Sequence, residues 1–328
     1  MNTSSISPPR LLLAPMEGVM ESVMRDMLTR VGGYERCTTE FVRVSSTVLP
    51  AKVFYRLCPE LKADGRTPSG IPVYVQLLGS DPDLMAANAR VVAGLGAPGI
   101  DLNFGCPAKT VNKSRGGATL LRTPETIYDI CKAVRDATPH TTPVTAKVRL
   151  GFDDDALFSR IADGAINSGI DELTVHARTK TQAYRPPAYW HRLRDIGNDR
   201  NIPIIANGEI WTPTDLLDCR RQSGCNAFML ARGALCRPDL GRAIAAYCSD
   251  TPQMPLEWQD IAELLVYFFE ANGALYQRKY AVNPLKQWLV YLQYCYPQAA
   301  ALFAQVKRIR DPDDMLGALS KALNQPAV

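Results

Sequence analysis

The chain has 328 residues, 46% of them hydrophobic and 21% charged, with a formal net charge of +4. That is ordinary globular composition, enough for one large domain and a small one without covalent staples. Nine cysteines with no C-x-x-C pair speak against a zinc site or a disulfide frame, so reduced thiols in a cytoplasmic protein without a metal are expected.

The opening MNTSSISPPR is polar and Pro-rich, and the LLLAP after it is too short for a signal or a membrane span, so no membrane association is expected. Short apolar or β-branched runs then recur, each closed by a polar or glycine-containing tip: LLLAP (11–15), CTTEFV (37–42), VYVQLLG (73–79), IDLNFG (100–105), VTAKVRLG (144–151), LTVHAR (173–178), PIIANG (203–208) and AFMLARG (227–233). Between most of them lie stretches of helical spacing, such as PETIYDICKAVRDA (124–137) and FSRIADGAINSG (158–169). Strand and helix alternating eight times predict an α/β fold, a parallel (β/α)8 TIM barrel. A G-x-G-x-x-G match at Gly94, Gly96 and Gly99 ends a helical stretch and leads into a strand. A dinucleotide cradle needs the opposite order, so a doubly wound fold is rejected.

At YCSDTPQMPLEW (247–258) two prolines and a polar cluster interrupt the rhythm. This predicts a boundary between a barrel at 1–248 and a small all-helical domain at 249–328. In the latter, Leu285, Trp288, Leu289 and Leu292 fall on one helix face, the spacing of a core stripe. From Gln277 to Arg310 there is no Asp or Glu, while Arg278, Lys279, Lys286, Lys307, Arg308 and Arg310 alternate with Tyr280, Trp288, Tyr291, Tyr294 and Tyr296. Such a block suits either a solvated helix face or contact with a polyanion.

Barrel enzymes keep their chemistry at the C-terminal ends of the strands, so the tips are read as one site. They carry Pro15, Met16 and Glu17; Arg43; Gln76; Asn103 and Cys106; Lys147 and Arg149; His176 and Arg178; Asn207, Gly208 and Glu209; Arg232 and Gly233. Each has a bland reading alone, the cysteine as a small apolar filler among them. Together, the last two tips offer small residues, backbone amides and Arg232 where barrels commonly hold a phosphate. Lys147 and Gln76 would reach the far end of the ligand as a cation and a paired donor and acceptor, which favours flavin mononucleotide over a sugar phosphate.

APMEGV, VQLLG, DLNFGCPAKTVNKSRGGATLL, AKVRLG, VHARTK, ANGEI and ARGAL, in this order and spacing, closely resemble the tRNA-dihydrouridine synthases. FVRV (41–44), PELKADGRTPSG (59–70) and LKQWL (285–289) look most like the bacterial class acting on uridine 16 of the D-loop. The resemblance implies an FMN-containing barrel with a helical C-terminal domain that reduces the 5,6 double bond of tRNA uridines with NADPH (or NADH). It also implies that Pro15, Met16, Glu17, Gln76, Lys147, His176, Asn207, Gly208, Glu209, Ala231 and Arg232 hold FMN, and that Cys106 is the catalytic acid. Asn103 is then expected beside the substrate, and Arg43, Tyr184 and Lys286 against tRNA. The chain departs from the class at Asn283 and Pro284, where an arginine is usual, which bears on tRNA docking.

Hydride delivery to carbon 6 of uracil calls for a proton at carbon 5, and a thiol of ordinary pKa near about 8.5 is mostly protonated at neutral pH. Neighbouring cations would make it a thiolate, so Lys109, Lys113 and Arg115 are expected to face RNA instead. Arg178, Lys180, Arg185 and the tyrosines of RTKTQAYRPPAYW (178–190) are expected to supply charge and a stacking surface to the nucleic acid, and a monomer is expected. The alternatives are an FMN barrel acting on a small dihydropyrimidine or dihydroorotate, an aldolase with Lys147 as Schiff base, and a tRNA-binding chaperone without chemistry.

Overall fold

The computed structural model describes residues 8–113, 115–196 and 202–323; the polar N-terminal segment 1–7 therefore lies outside the described residues. Among the described residues nine short parallel strands run in chain order: β1 (Arg10–Leu13), β2 (Arg36–Thr38), β3 (Val42–Arg43), β4 (Val73–Leu78), β5 (Ile100–Asn103), β6 (Val144–Gly151), β7 (Glu172–Thr179), β8 (Ile204–Asn207) and β9 (Ala227–Leu230). β2 and β3 both pair with β4 and form one interrupted course, and β2 also pairs with β1, which pairs with β9. The sheet therefore closes on itself as an eight-stranded barrel.

Helices α1 (Ser22–Val31), α2 (Ala51–Leu57), α3 (Pro82–Gly94), α4 (Lys109–Lys113), α5 (Pro124–Ala137), α6 (Phe158–Asn167), α7 (Pro213–Ser223), α8 (Arg232–Cys236) and α9 (Leu240–Ser249) lie between and after the strands. Local signals set their ends. Pro213 opens α7 at a position that needs no N–H, Thr212 and Asp215 form a capping box, and Gly224 closes the helix with φ +77°. Gly94 ends α3 and Gly99 immediately precedes β5, so the glycine triplet lies on a helix-to-strand turn, the order that excludes a phosphate cradle.

Alternation along each strand divides two environments. On β6, Val144, Ala146, Val148 and Leu150 join the large apolar core beneath the surrounding helices, while Thr145, Lys147 and Arg149 take the opposite face. Leu12, Ala14, Ile205, Ala227 and Met229 form a separate small cluster, the apolar filling of the barrel interior. Buried beside this filling are the polar Gln76, Asp101, Thr145, Thr174, His176 and Asn207. A barrel filled with branched aliphatics to its rim would have no such layer, so the polar inner residues mark the functional end.

Beyond α9 the described residues form four further α-helices: α10 (Trp258–Leu275), α11 (Val282–Leu292), α12 (Pro297–Val306) and α13 (Pro312–Leu323). Leu285, Trp288, Leu289 and Leu292 are all buried. Trp288 meets Phe268 of α10 edge-on at 5.1 Å between ring centroids, and its Nε1 donates to the carbonyl of Leu235 in α8 at 3.1 Å. One side chain thus joins the helical layer to the barrel.

Candidate functional site

A cavity of about 670 Å3 opens at the C-terminal ends of the strands, within the ordinary range for a cofactor site. Every residue expected to hold a cofactor lines it, from Pro15, Met16 and Glu17 through Gln76, Lys147, His176, Asn207, Gly208 and Glu209 to Ala231 and Arg232, and so do Asn103, Cys106 and Tyr184. Arg43 and Lys286 do not. Arg43 is exposed on β3 with its guanidinium 3.5 Å from the Thr110 carbonyl, and the Lys286 ammonium on α11 donates to the carbonyl of Ile309.

Strand register brings the inner residues together: Gln76 lies beside Asp101, Asn103 beside Lys147, and His176 beside Asn207. Lys147 Nζ donates to Asn207 Oδ1 at 3.0 Å, and Asn207 Nδ2 donates to the Met229 carbonyl at 2.7 Å. Burial, reinforced by Arg149, lowers the Lys147 ammonium to about 8. Asp101 acts against this, and the ammonium lines the cavity, where it can attract an anionic or electron-rich ring. His176 is pushed well below its ordinary value by burial first and then by Arg149, Lys147, Arg178 and Arg232, so it is neutral. Arg178 Nη1, 3.4 Å from His176 Nε2, makes Nε2 the acceptor and leaves Nδ1 to carry the proton.

Small residues and backbone dominate the opposite end. Gly208 has φ +114°, and a Cβ there would sit 2.9 Å from His176 Cδ2, so a side chain would strain the backbone and crowd the imidazole. Arg232 begins α8, with its guanidinium 5.2 Å from the Tyr184 ring, 4.9 Å from the Trp211 ring and 3.8 Å from Glu209 Oε1. Glu209 is itself held by Trp211 Nε1 at 2.8 Å and by an ion pair with Arg178. This end suits a phosphate and the Lys147 end a planar heterocycle. Among the described residues no cluster of His, Cys, Asp and Glu is arranged to hold a metal.

Cys106 sits on the cavity wall, packed with Leu78 and Val111. Its loop is closed by its own carbonyl, which accepts from Asn112 Nδ2 at 3.0 Å and from the Ala118 amide at 3.1 Å. Gly117 follows at φ +59°, where a Cβ would lie 3.0 Å from that same carbonyl oxygen; the glycine of the trailing Gly-Gly-Ala is what lets the two turns meet. Burial raises the thiol; the Ala108 amide acts against this, Glu17 adds to it, and Arg149 and Arg43 oppose it. Lys109, Lys113 and Arg115 are exposed, Lys109 at the cavity wall; burial is the leading influence on the thiol, which keeps its proton beside the basic run.

One expectation is corrected. Arg178 offers no charge to a nucleic acid: it is fully buried and spent on the Pro187 carbonyl at 3.1 Å, on His176 and on Glu209. β7 extends to Thr179, and Arg178 lies on it two residues after His176, so the alternation that turns His176 inward turns Arg178 inward too. Arg185 and Tyr184 are exposed, as expected of a stacking and charged surface. Arg149, a tip residue to which the sequence gives no role, is buried, and its guanidinium donates to the carbonyls of Gly105 at 2.8 Å, Thr179 at 3.2 Å and Ala183 at 3.1 Å. It ties the cysteine loop to the loop that carries Tyr184. Phe41, Trp211 and Tyr291 also line the cavity. The two-residue step from Lys147 is a signal for Arg149, whereas nothing local marks Trp211 or Tyr291.

No helix among the described residues is long and apolar enough to cross a membrane. Among solved structures, an old yellow enzyme homologue from Zymomonas mobilis aligns with TM-score 0.50 and 13% identity over 75% of this chain and 90% of its own. Histamine dehydrogenase from Rhizobium sp. 4-9 aligns with TM-score 0.57 and 15% identity over 79% of this chain and 48% of its own. At such identities the likeness shows a shared barrel fold. Sequence similarity is far closer to proteins named tRNA-dihydrouridine(16) synthase. That of Pseudomonas putida is 48% identical over 302 residues, 92% of this chain and 94% of its own. That of Vibrio cholerae is 46% identical over 319 residues, 96% and 97%, and that of Shewanella oneidensis 44% identical over 319 residues, 96% and 100%. The family model for dihydrouridine synthase (Dus) matches residues 12–326, nearly the whole chain. With the barrel, the cysteine loop and these relatives in agreement, the protein belongs to the dihydrouridine synthase family.

Proposed function

We propose that this protein reduces uridine to 5,6-dihydrouridine in the D-loop of tRNA, at position 16, with FMN in the barrel mouth and NADPH as reductant. The observation that carries this reading is a buried thiol, Cys106, on the wall of a cavity that also presents the Lys147 ammonium and, with Arg232, a phosphate-suited end. Residues 1–248 act as the catalytic barrel and 249–328 as a helical tRNA-binding domain, in a monomer working in the cytoplasm.

The chemistry FMN would supply there is a hydride for carbon 6 of the uracil ring. The chain's own residues do the rest. The Arg232 guanidinium and the main-chain amides of Gly208, Glu209 and Ala231 would hold the phosphate; Lys147, Gln76 and His176 would orient the ring system; Pro15, Met16 and Glu17 would close the side of the slot. Cys106 Sγ gives its proton to carbon 5 and recovers one from solvent. Asn103 contacts the base. Moving a base out of its stack costs a few kcal/mol, offset by Tyr184 as a stacking surface and by Arg43, Lys286 and the exposed cations between the C-terminal helices on the RNA backbone.

The test is position-resolved mass spectrometry of tRNA from cells lacking this chain. Loss of dihydrouridine confined to position 16 is expected; loss at another D-loop position moves the assignment. Purified protein is expected to be yellow, with FMN released on denaturation, and a colourless preparation that takes up no FMN rejects the cofactor.

A further inference from the structure

Between the barrel interior and the cysteine loop, hydrogen bonds form one directed chain. Thr145 Oγ1 donates to Asp101 Oδ1 at 2.6 Å, and Gln76 Nε2 to Asp101 Oδ2 at 2.7 Å. Asn103 Nδ2 donates to Gln76 Oε1 at 2.7 Å, and the Gly105 and Cys106 amides donate to Asn103 Oδ1 at 2.9 and 3.0 Å. A carboxylate only accepts and a main-chain N–H only donates, so the orientation of both amides is fixed from both ends. Flipping either one sets donor against donor and acceptor against acceptor, at a buried position for Gln76 and a half-buried one for Asn103. Once these bonds are made, each amide has one N–H to spare, and Gln76 and Asn103 both line the cavity.

We propose that Asp101, which does not line the cavity, is a positioning residue that makes the site choose uridine over cytidine by forcing the two amides to offer only N–H groups. The inference rests on the reading above, that Cys106 protonates carbon 5 of the base. Carbon 4 is bonded to carbon 5, so the exocyclic group that comes nearest Asn103, whose Oδ1 holds the Cys106 amide, is a carbonyl oxygen in uracil and an amino group in cytosine. An N–H of Asn103 meets the first as a partner and the second as a clash. The same N–H strengthens as negative charge gathers on that oxygen during reduction, which adds rate to selectivity.

The experiment uses the full FMN-loaded chain, NADPH and two tRNAs identical except for uridine or cytidine at the target position. The cytidine form serves as a competitor, and its inhibition constant is divided by the KM of the uridine form. Asp101→Asn keeps the volume, but an amide can turn either its oxygen or its nitrogen to Gln76, and the Thr145 hydroxyl serves either arrangement. The ratio is expected to fall about tenfold or more, with FMN content and NADPH-driven flavin bleaching retained. Slower uridine turnover at an unchanged ratio overturns the proposal, since a merely structural role would produce that result. Should the variant not fold, Asn103→Asp, which presents oxygen where N–H stood, is compared with Asn103→Ala; the former is expected to favour the cytidine form relative to the latter, and equal ratios overturn the proposal. A wild-type protein that forms no dihydrouridine on the uridine tRNA rejects the underlying reading instead, and is told apart by that control alone.

Discussion

The basic residues of the barrel mouth and those between the C-terminal helices are the same residue types put to two physical uses. Around the mouth, Lys147, Arg149 and Arg178 are withdrawn from solvent and bonded to Asn207, to three main-chain carbonyls and to Pro187, His176 and Glu209. In the connections between the C-terminal helices, Arg278 and Lys279 between α10 and α11 and Lys307, Arg308 and Arg310 between α12 and α13 stand exposed, and Arg278 has a surface ion pair with Asp313 at 2.8 Å. Salt screens the second set and barely touches the first. The first can therefore shape a reaction while the second grips a polyanion, and the difference teaches that burial, more than charge count, assigns the task.

The largest effect expected at the mouth comes from Cys106→Ala. Dihydrouridine formation in a single turnover should drop roughly 100- to 10,000-fold, the range for removal of a general acid, while flavin reduction by NADPH proceeds. A mutant that modifies tRNA at the native rate breaks the assignment. Trp288→Ala asks whether the two regions fold as one body: removing its packing against Phe268 and its hydrogen bond to Leu235 should cost about 3–5 kcal/mol, read by chemical denaturation as a single weakened transition. Two resolved transitions would instead make the regions independent.

Lys147→Met separates the cost of a buried cation from its use. Its folded value, about 8, lies below the ordinary 10.5, so below pH 8 the charged lysine destabilises the fold by about 3 kcal/mol, an upper figure. The penalty shrinks as pH rises from 8 to 10.5 and is gone above that. FMN-free Lys147→Met protein should thus outlast the wild type toward denaturant at pH 7, the gap closing with rising pH, while FMN content falls. The smallest effect belongs to the surface: alanine at Lys279, Arg308 and Arg310 together should weaken tRNA binding and flatten its dependence on log salt by about 0.7–0.9 for each phosphate no longer neutralised, leaving flavin reduction as it was.

Much of this is legible in the sequence because two periodicities carry it. The eight apolar runs and the helical stretches between them specify the barrel, and the residues at the run ends are the ones that meet in the cavity. The second run alone splits, into β2 and β3; at the break the Thr39 hydroxyl accepts the Gln76 amide at 3.0 Å where a main-chain carbonyl would continue the ladder, a bond with no local signature. Arg178 misleads because a basic residue in a basic loop looks solvent-facing, while a strand extended to Thr179 turns it inward. Tyr291 and Trp211 reach the cavity through tertiary packing, which spacing along one helix or loop does not encode. Lys286, in a run without acids, gives no sign that its ammonium finds the Ile309 carbonyl.

Tyr291 has a consequence for how such a protein can change over generations. Because a side chain from α11 forms part of the cavity wall, the tail is also a piece of the reaction vessel. Exchanging the tail for one with a different grip, to reach another nucleotide, would leave a gap in the wall unless the newcomer brought a ring to the same spot. New target choice would therefore arise more readily by altering the outward residues of the existing helices than by replacing them.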